Sequence, residues 1–87
     1  MKVFFSKSAR KNYEKWQKSK RDIIDELIED IEENGFLCCK GKPERLKHHK
    51  DPALFSRRID KSNRLIYRSC NESDLFIVAC KGHYLDK

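Results

Sequence analysis

The segment from Arg21 to Glu33 constrains the fold most, because its apolar and acidic residues separate onto the two faces of a helix. Its apolar residues recur at helical spacing and form one stripe, Ile23, Ile24, Leu27, Ile28 and Ile31. Ser19, followed by Asp22 three residues later, predicts the helix start as a capping box, and Gly35 predicts its end. Such a stripe must be buried against another element, so the chain needs at least two layers.

The rest of the chain predicts one strand and one helix before this segment and a series of strands after it. Lys2–Phe5 has the composition of a short strand, and residues 8–18 form a helical pattern that Ser6 or Ser8 can cap. The aromatic residues of this first helix, Tyr13 and Trp16, are expected in the core.

The later strands are predicted at residues 45–48, 54–59, 64–70 and 75–80, with tight turns between them. Pairing should start after Pro43, with the strand that follows it at or near a sheet edge. The last run is the most apolar, which favours a central strand buried on both faces and continued by residues 81–84. We therefore expect one α+β domain over residues 1–87. It comprises an N-terminal strand, a helical hairpin and an antiparallel β-meander, with the helices on one face of the sheet.

The net charge of +6 is unevenly distributed along the chain. Residues 21–33 hold seven acidic residues and one basic residue, so the remainder of the chain carries +12. A cationic body favours a polyanionic ligand, with the acidic helix face turned away from it and in contact with solvent.

The cysteine pattern and the absence of a secretory signal favour a cytoplasmic chain with reduced thiols and no membrane span. Cys70 and Cys80 lie in predicted strands and are expected to act as small apolar residues. The pairs Cys38-Cys39 and His48-His49 lack the spacing of a zinc site, so we expect no metal.

A single carboxylate, Glu44, lies among basic residues in the stretch Gly41–Lys50. The surrounding positive charge favours its ionised form, which can accept a proton, and also attracts a phosphodiester. A base within a phosphate-binding surface indicates RNA cleavage, in which the substrate supplies its own 2′-hydroxyl nucleophile. The simpler interpretation is a solvated basic strand that contacts nucleic acid without cutting it.

Several ordered motifs across nearly the whole chain resemble the Txe/YoeB toxins of bacterial toxin–antitoxin pairs, within the RelE-like superfamily. The motifs are Gly41-Lys42-Pro43-Glu44 with Leu46-Lys47-His48, then Phe55-Ser56-Arg57-Arg58-Ile59, Arg64-Leu65-Ile66-Tyr67 and Ala79-Cys80-Lys81-Gly82-His83-Tyr84. Tyr13 and Trp16-Gln17 also fit this pattern. The resemblance implies the RelE/YoeB-like microbial RNase fold and a ribosome-dependent endoribonuclease that cuts mRNA in the decoding A site.

The resemblance also implies a role for each matching residue. Glu44 matches the general base, Arg64 a phosphate-contacting arginine, His83 the general acid, and Tyr84 the aromatic residue beside that acid. The expected RNA-contacting residues are Lys47, His48, Arg57 and Arg58. Adjacent strand residues point to opposite faces, and the resemblance favours Arg58 over Arg57 for the site. Base, cations and acid suffice for transesterification without a cofactor.

The implied partners are the 70S ribosome with its mRNA and a YefM/Axe-like antitoxin with an acidic C-terminal segment. Operator DNA would be bound only through the antitoxin complex, and a homodimer is compatible with the family. Two alternatives use the same fold: a module that binds ribosomal RNA or DNA without cutting, and a RelE-like poison of DNA gyrase. The latter would not need Glu44 and His83.

The chain departs from the family pattern at three places. Leu85-Asp86-Lys87 follow the His-Tyr pair at which relatives often end, and this could change the surroundings of His83 and Tyr84. Arg45 replaces a common second proline, which makes the local backbone less rigid. Leu54-Phe55 replaces a pair of larger aromatic residues, which affects packing.

Overall fold

The part of the chain that the structure describes forms two helices and a five-stranded sheet. The computed structural model describes residues 1–50 and 52–82, without the side chains of residues 48–50. The elements in chain order are β1 (Val3–Phe5), α1 (Lys7–Lys15), α2 (Lys18–Asn34), β2 (Glu44–Lys50), β3 (Ala53–Arg58), β4 (Arg64–Cys70) and β5 (Asp74–Ala79). Neither helix in the described part of the chain is long and apolar enough to cross a membrane.

The sheet has the strand order β1-β5-β4-β3-β2. The strands β2 to β5 form the predicted antiparallel meander, and the α+β class is confirmed. The first strand pairs in parallel with β5, which makes the sheet mixed. The edge position of β2 and its start directly after Pro43 are as predicted.

The helix boundaries follow from local contacts. Ser6 caps α1 as predicted, since its Oγ accepts a hydrogen bond from the Ala9 N–H at 3.0 Å. The helix ends at Lys15, earlier than expected, because Trp16 is extended and its indole N–H donates to the carbonyl of Cys80. The predicted capping box at Ser19 is wrong, because α2 already begins at Lys18 and its N-cap Gln17 makes no side-chain capping bond.

The main core lies between the helices and one face of the sheet. The apolar stripe of α2 packs there on alternate residues of β4 and β5 such as Leu65, Tyr67 and Ile77. Tyr13 and Trp16 pack against this core as expected. The most deeply buried stripe residues are Ile24 and Ile31, both at 0% exposure.

The opposite side of the sheet, called here the helix-free face, carries a smaller apolar cluster. Leu46, Leu54 and Ile66 are buried in it, and Val78 and Ala79 are half-buried. The expectation that the last strand is buried on both faces therefore holds on the helix side and only in part on this side. The described strand ends at Ala79, short of the continuation predicted through residue 84.

The cysteines take two forms. Cys38 and Cys39 are joined by a disulfide between neighbouring residues, so the expectation of reduced thiols is wrong for this pair. Cys70 and Cys80 are free thiols. Burial raises the pKa of the Cys80 thiol to about 11, and its Sγ donates to the carbonyl of Ala9. Cys80 therefore packs as the small apolar residue that the sequence predicted.

Candidate active site

Glu44, Arg58 and Arg64 lie on the helix-free face of three neighbouring strands. Glu44 is directly opposite Ser56, Ser56 is opposite Ile66, and Arg58 is opposite Arg64. Residues that face one another across paired strands point to the same side of the sheet, and so do alternate residues along a strand. The shared face predicted for these three side chains is therefore present in the structure.

These three residues also lie at one end of the sheet. Glu44 begins β2, Arg58 ends β3 and Arg64 begins β4. Directly opposite residues have Cβ atoms about 5 Å apart, which makes Arg58 and Arg64 immediate neighbours. Glu44 is the diagonal neighbour of Arg58, about 7–8 Å away by the same geometry. Three adjacent strands thus bring to one end of the helix-free face a carboxylate, which can act as a base, and two arginines, which can bind an anion.

One edge of the Arg64 guanidinium is fixed against the β3–β4 turn. Its Nη1 donates to the carbonyl oxygens of Asp60 at 3.0 Å and Asn63 at 3.3 Å. The Asp60 carboxylate does not hold Arg64 but pairs with Lys20 at 2.9 Å. It also accepts hydrogen bonds from the backbone N–H groups of Ser62 and Asn63. The turn therefore positions Arg64 through its backbone.

The chain returns to this end of the sheet after β5. The Arg64 N–H donates to the carbonyl of Gly82 at 3.0 Å, and the Gly82 N–H donates to Oδ1 of Asn63 at 2.7 Å. Gly82 directly precedes the predicted general acid His83. The residues 83–87, which include His83, Tyr84 and the three-residue extension, lie outside the described part of the chain.

The two candidates on β2 are less well defined by the strand pairing. Lys47 is exposed, and the register of β2 on β3 shifts between Arg45 and Lys50, so alternation alone does not assign its side chain to one face. The side chain of His48 lies outside the described part of the chain. The roles expected for Lys47 and His48 remain predictions.

Arg57 does not belong to this surface, and its expected contact with RNA is wrong. It lies opposite Leu65 on the core side of β3, and its side chain is 0% exposed. Its guanidinium pairs with the carboxylate of Asp30 and donates to the carbonyls of Lys40 and Gly35. All of these contacts lie inside the protein, so Arg57 is a structural residue.

Asp30 is a buried structural residue that the sequence interpretation missed, because it was grouped with the solvated acidic face of its helix. It is buried, while the other six acidic residues of that segment are exposed. The Arg57 guanidinium holds the pKa of Asp30 below its ordinary value, against the opposing effect of burial. The signal was available, since Asp30 follows Ile23 by seven residues and Leu27 by three, the spacing of the buried stripe.

Asp30 and Arg57 together hold the loop that leads to Glu44. The Lys40 N–H donates to Asp30, and its carbonyl accepts from Arg57. The Arg57 Nε donates to the Tyr67 hydroxyl, which in turn donates to the carbonyl of Phe36 at 2.7 Å. The loop is thus attached to α2, β3 and β4 through side chains, although it carries no regular structure.

Gly41 brings this loop close to the sheet just before Glu44. Its carbonyl accepts from the Arg58 N–H at 2.7 Å, and its φ of 78° lies in the left-handed region. A Cβ at this position would lie 2.8 Å from the Leu27 side chain and 3.1 Å from the Cβ of Arg57. Only glycine therefore fits the entry into β2.

A separate groove of about 410 Å³ lies on the helix side of the molecule, lined by α1, α2 and β1 residues such as Phe5, Tyr13 and Ile28. The Tyr13 hydroxyl donates to Asp25 at its rim. Because the sheet separates this groove from Glu44, the groove is not part of the candidate site.

Comparison with known proteins places the chain in a family. A family model described as "YoeB-like toxin of bacterial type II toxin-antitoxin system" matches residues 5–84. The chain belongs to the YoeB family. Toxin YoeB of Escherichia coli K12 is 40% identical to it over 87 residues, which cover 97% of this chain and all of that protein.

Solved structures of YoeB proteins share the fold. The YoeB–YefM complex from Staphylococcus aureus matches with a TM-score of 0.83 and 34% identity, over 97% of this chain and 98% of that one. A YoeB dimer from the same organism matches with a TM-score of 0.84 at the same identity and coverage. The RelE/YoeB-like architecture inferred from the motifs is therefore confirmed.

Proposed function

We propose that this toxin is a ribosome-dependent endoribonuclease that cleaves mRNA in the A site and so inhibits translation. The observation that carries the proposal is the position of Glu44, Arg58 and Arg64 at one end of the helix-free face, in a YoeB-family chain. The same end receives Gly82, the residue before His83.

The two arginines supply a site for a phosphate. Arg58 is exposed and Arg64 half-buried, and they lie opposite one another, where like charges repel and destabilise a strand pair. An anion between them would relieve this repulsion. In the reaction, the same guanidinium groups would stabilise the negative charge that develops on the pentavalent phosphorane.

Glu44 is the proposed general base. It would remove the proton from the 2′-hydroxyl, and that oxygen would attack the adjacent phosphorus. His83 would protonate the departing 5′-oxygen, and Tyr84 would stack on an A-site base. The products are a 2′,3′-cyclic phosphate and a 5′-hydroxyl. Glu44 gains one proton and His83 loses one, so the reaction is balanced.

The partners follow from the relatives. Since a Staphylococcus aureus YoeB forms a complex with YefM, we infer that this chain binds a similar antitoxin whose acidic segment covers the cationic face. The complex would repress its own operon by binding operator DNA through the antitoxin. The dimer formed by that YoeB supports homodimer formation here. The toxin would act in the cytoplasm, where ribosomes translate.

Primer extension on a short mRNA in programmed ribosomes tests the proposal. We expect the wild type to cut at the A-site codon only when ribosomes are present. Replacement of Glu44 by Gln should lower the cleavage rate at least about 100-fold, because it removes the base while keeping the size of the side chain.

The matched control is Glu29→Gln, which neutralises an exposed acid on α2, on the other side of the sheet. It should cleave like the wild type. A Glu44→Gln protein that cuts as fast as this control would contradict the role of Glu44. If the folded wild-type protein left mRNA intact on ribosomes, the proposed endoribonuclease activity would be wrong, and a binding module would be favoured.

A further inference from the structure

A row of two aromatic residues and one arginine crosses the helix-free face at a distance from Glu44. Phe4 on β1 lies opposite Phe76 on β5, and Phe76 lies opposite Arg68 on β4. The three side chains therefore point to one side of the sheet, the side that also carries Arg64. We propose that this aromatic–arginine row is a second contact surface for single-stranded RNA, formed by Phe4, Phe76 and Arg68.

Arg68 and Phe76 form a pre-arranged stack. The Arg68 guanidinium carbon lies 4.5 Å from the centre of the Phe76 ring. Its Nη1 donates to the carbonyl of Ser69 at 3.1 Å, which further restricts the group. A guanidinium held over one ring can offer its free side to a nucleobase and its charge to a phosphate.

Phe4 adds an exposed aromatic surface to this stack. It is 41% exposed although it lies within a strand, whereas its neighbours Val3 and Phe5 pack against the core on the helix side. An exposed phenylalanine beside a cation, on a face that also carries Arg58 and Arg64, suits unpaired bases that stack while their phosphates meet positive charge. The acid nearest in register, Asp74, accepts a hydrogen bond from the backbone N–H of Lys2.

The position of the row connects it to the candidate active site. Arg64 and Arg68 are four residues apart on one strand, or about 13 Å at the usual rise per residue. The apolar cluster around Ile66 lies between them. An RNA strand with its reacting phosphate at Arg64 could run along β4 and reach the row with a flanking nucleotide. The inference rests on the proposed function for its ligand, and it assigns the row to binding and not to chemistry.

Fluorescence anisotropy with a short, labelled single-stranded RNA tests the row directly. Every ribose of the probe carries a 2′-O-methyl group, so binding is measured without cleavage. Phe4→Leu keeps an apolar side chain and removes the ring, and it should weaken binding about tenfold. Phe4→Trp should bind at least as tightly as the wild type, because the larger ring stacks better.

Variants of Arg68 separate stacking from charge. Arg68→Lys keeps the charge but loses the planar group, and it should still weaken binding several-fold. The control Lys11→Gln removes an exposed positive charge from α1 on the helix side and should leave the affinity unchanged. Thermal melting of each variant confirms that it is folded.

The outcomes separate this inference from the proposed function. If Phe4→Leu and Arg68→Lys bind the RNA as the wild type does, while Arg64→Gln binds more weakly, the row is not an RNA surface and the proposed function is unaffected. No saturable binding by the wild type at low salt also overturns the inference. Variants that keep RNA binding but change the oligomeric state or lose antitoxin binding would show that the row contacts protein.

If binding depends on Phe4 and Arg68 but the wild type does not cut mRNA on ribosomes, the inference stands and the proposed function fails.

Discussion

Gly41 determines how the chain enters the strand that begins with Glu44. It combines a left-handed backbone with close contacts to α2 and β3, so two independent constraints exclude a side chain. Gly82 has a similar φ of 73° but open space around its Cβ position, so only the backbone constraint applies there. The two glycines therefore allow the steric contribution to be measured separately.

We expect Gly41→Ala to be more destabilising than Gly82→Ala. Both substitutions place a Cβ on a left-handed backbone, which costs about 1–2 kcal/mol. Gly41→Ala must also displace Leu27 and β3, which should add about 1–3 kcal/mol. Urea unfolding of the two variants and the wild type measures the difference. Equal losses in the free energy of unfolding would show that the contacts of Gly41 do not constrain the loop.

The lowered pKa of the Asp60 carboxyl group predicts how the stability of the folded protein depends on pH. The ion pair with Lys20, together with hydrogen bonds from the turn, lowers the pKa of Asp60 well below its ordinary value of 3.8. A carboxyl group with a lower pKa in the folded state adds stability above its unfolded pKa and loses it as the pH falls. The pKa of Asp30 is lowered as well, by Arg57. We therefore expect the melting temperature to decrease as the pH falls below about 4.

The variant Asp60→Asn isolates the contribution of this carboxylate. Its melting temperature should be lower than that of the wild type at neutral pH and should change less between pH 4 and pH 2. Melting curves by circular dichroism across this range measure both effects. If the melting temperatures of the two proteins fell equally between pH 4 and pH 2, Asp60 would not be an ionised partner of Lys20 in the folded state.

At the scale of the elements, the Asp30–Arg57 pair joins the end of α2 to β3 and to the loop before β2. A buried ion pair depends on both partners, because removing one leaves the other charged and unpaired in the interior. Arg58, which follows Arg57 in the sequence, has the same side chain but is exposed on the helix-free face of the sheet. The pair of adjacent arginines thus provides its own control.

We expect Arg57→Met to lower the melting temperature by more than about 10 °C, and Arg58→Met to change it by at most a few degrees in either direction. The double variant Asp30→Leu/Arg57→Met should recover part of the loss, because it removes both charges. Circular dichroism melting at neutral pH measures all three. Similar losses for Arg57→Met and Arg58→Met would contradict the assignment of Arg57 to the core.

Local pattern predicted the elements better than their pairing. The α2 stripe, the cap at Ser6 and the strand Arg64–Cys70 were all predicted from short-range chemistry. The parallel pairing of β1 with β5 was not, because it joins residues more than 70 positions apart and leaves no local signal. The capping box failed because Trp16 and Gln17 are already extended before α2, which moves the helix start to Lys18.

At the scale of the whole molecule, the acidic face of α2 and three arginines of the sheet lie on opposite sides of the sheet, although the helix side also carries basic residues such as Lys11. The exposed acids of α2 lie on the helix side, and Arg58, Arg64 and Arg68 lie on the helix-free face, as the uneven charge of the sequence predicted. A polyanion is therefore attracted to the face that carries Glu44.

The sequence predicted the main residues of the candidate site, but it did not predict the buried residues that support it. Glu44, Arg58 and Arg64 were identified from motifs, and strand register brings them together. The alternation of side chains along a strand could not decide between Arg57 and Arg58. It places the two arginines on opposite faces of the sheet but does not say which face is buried. Asp30 was missed because it was grouped with the exposed acids of its helix, although its spacing from Ile23 and Leu27 places it on the buried stripe.

In the proposed mechanism, cleavage uses the 2′-hydroxyl of the mRNA, with Glu44 as the base. Cleavage by the wild type, on programmed ribosomes, of an mRNA with one 2′-O-methyl group at the scissile nucleotide tests this mechanism. We predict that this single modification abolishes the cut, while an mRNA modified only at a distant nucleotide is cut normally and leaves a 2′,3′-cyclic phosphate. Undiminished cleavage of the modified mRNA at the same position would contradict the mechanism.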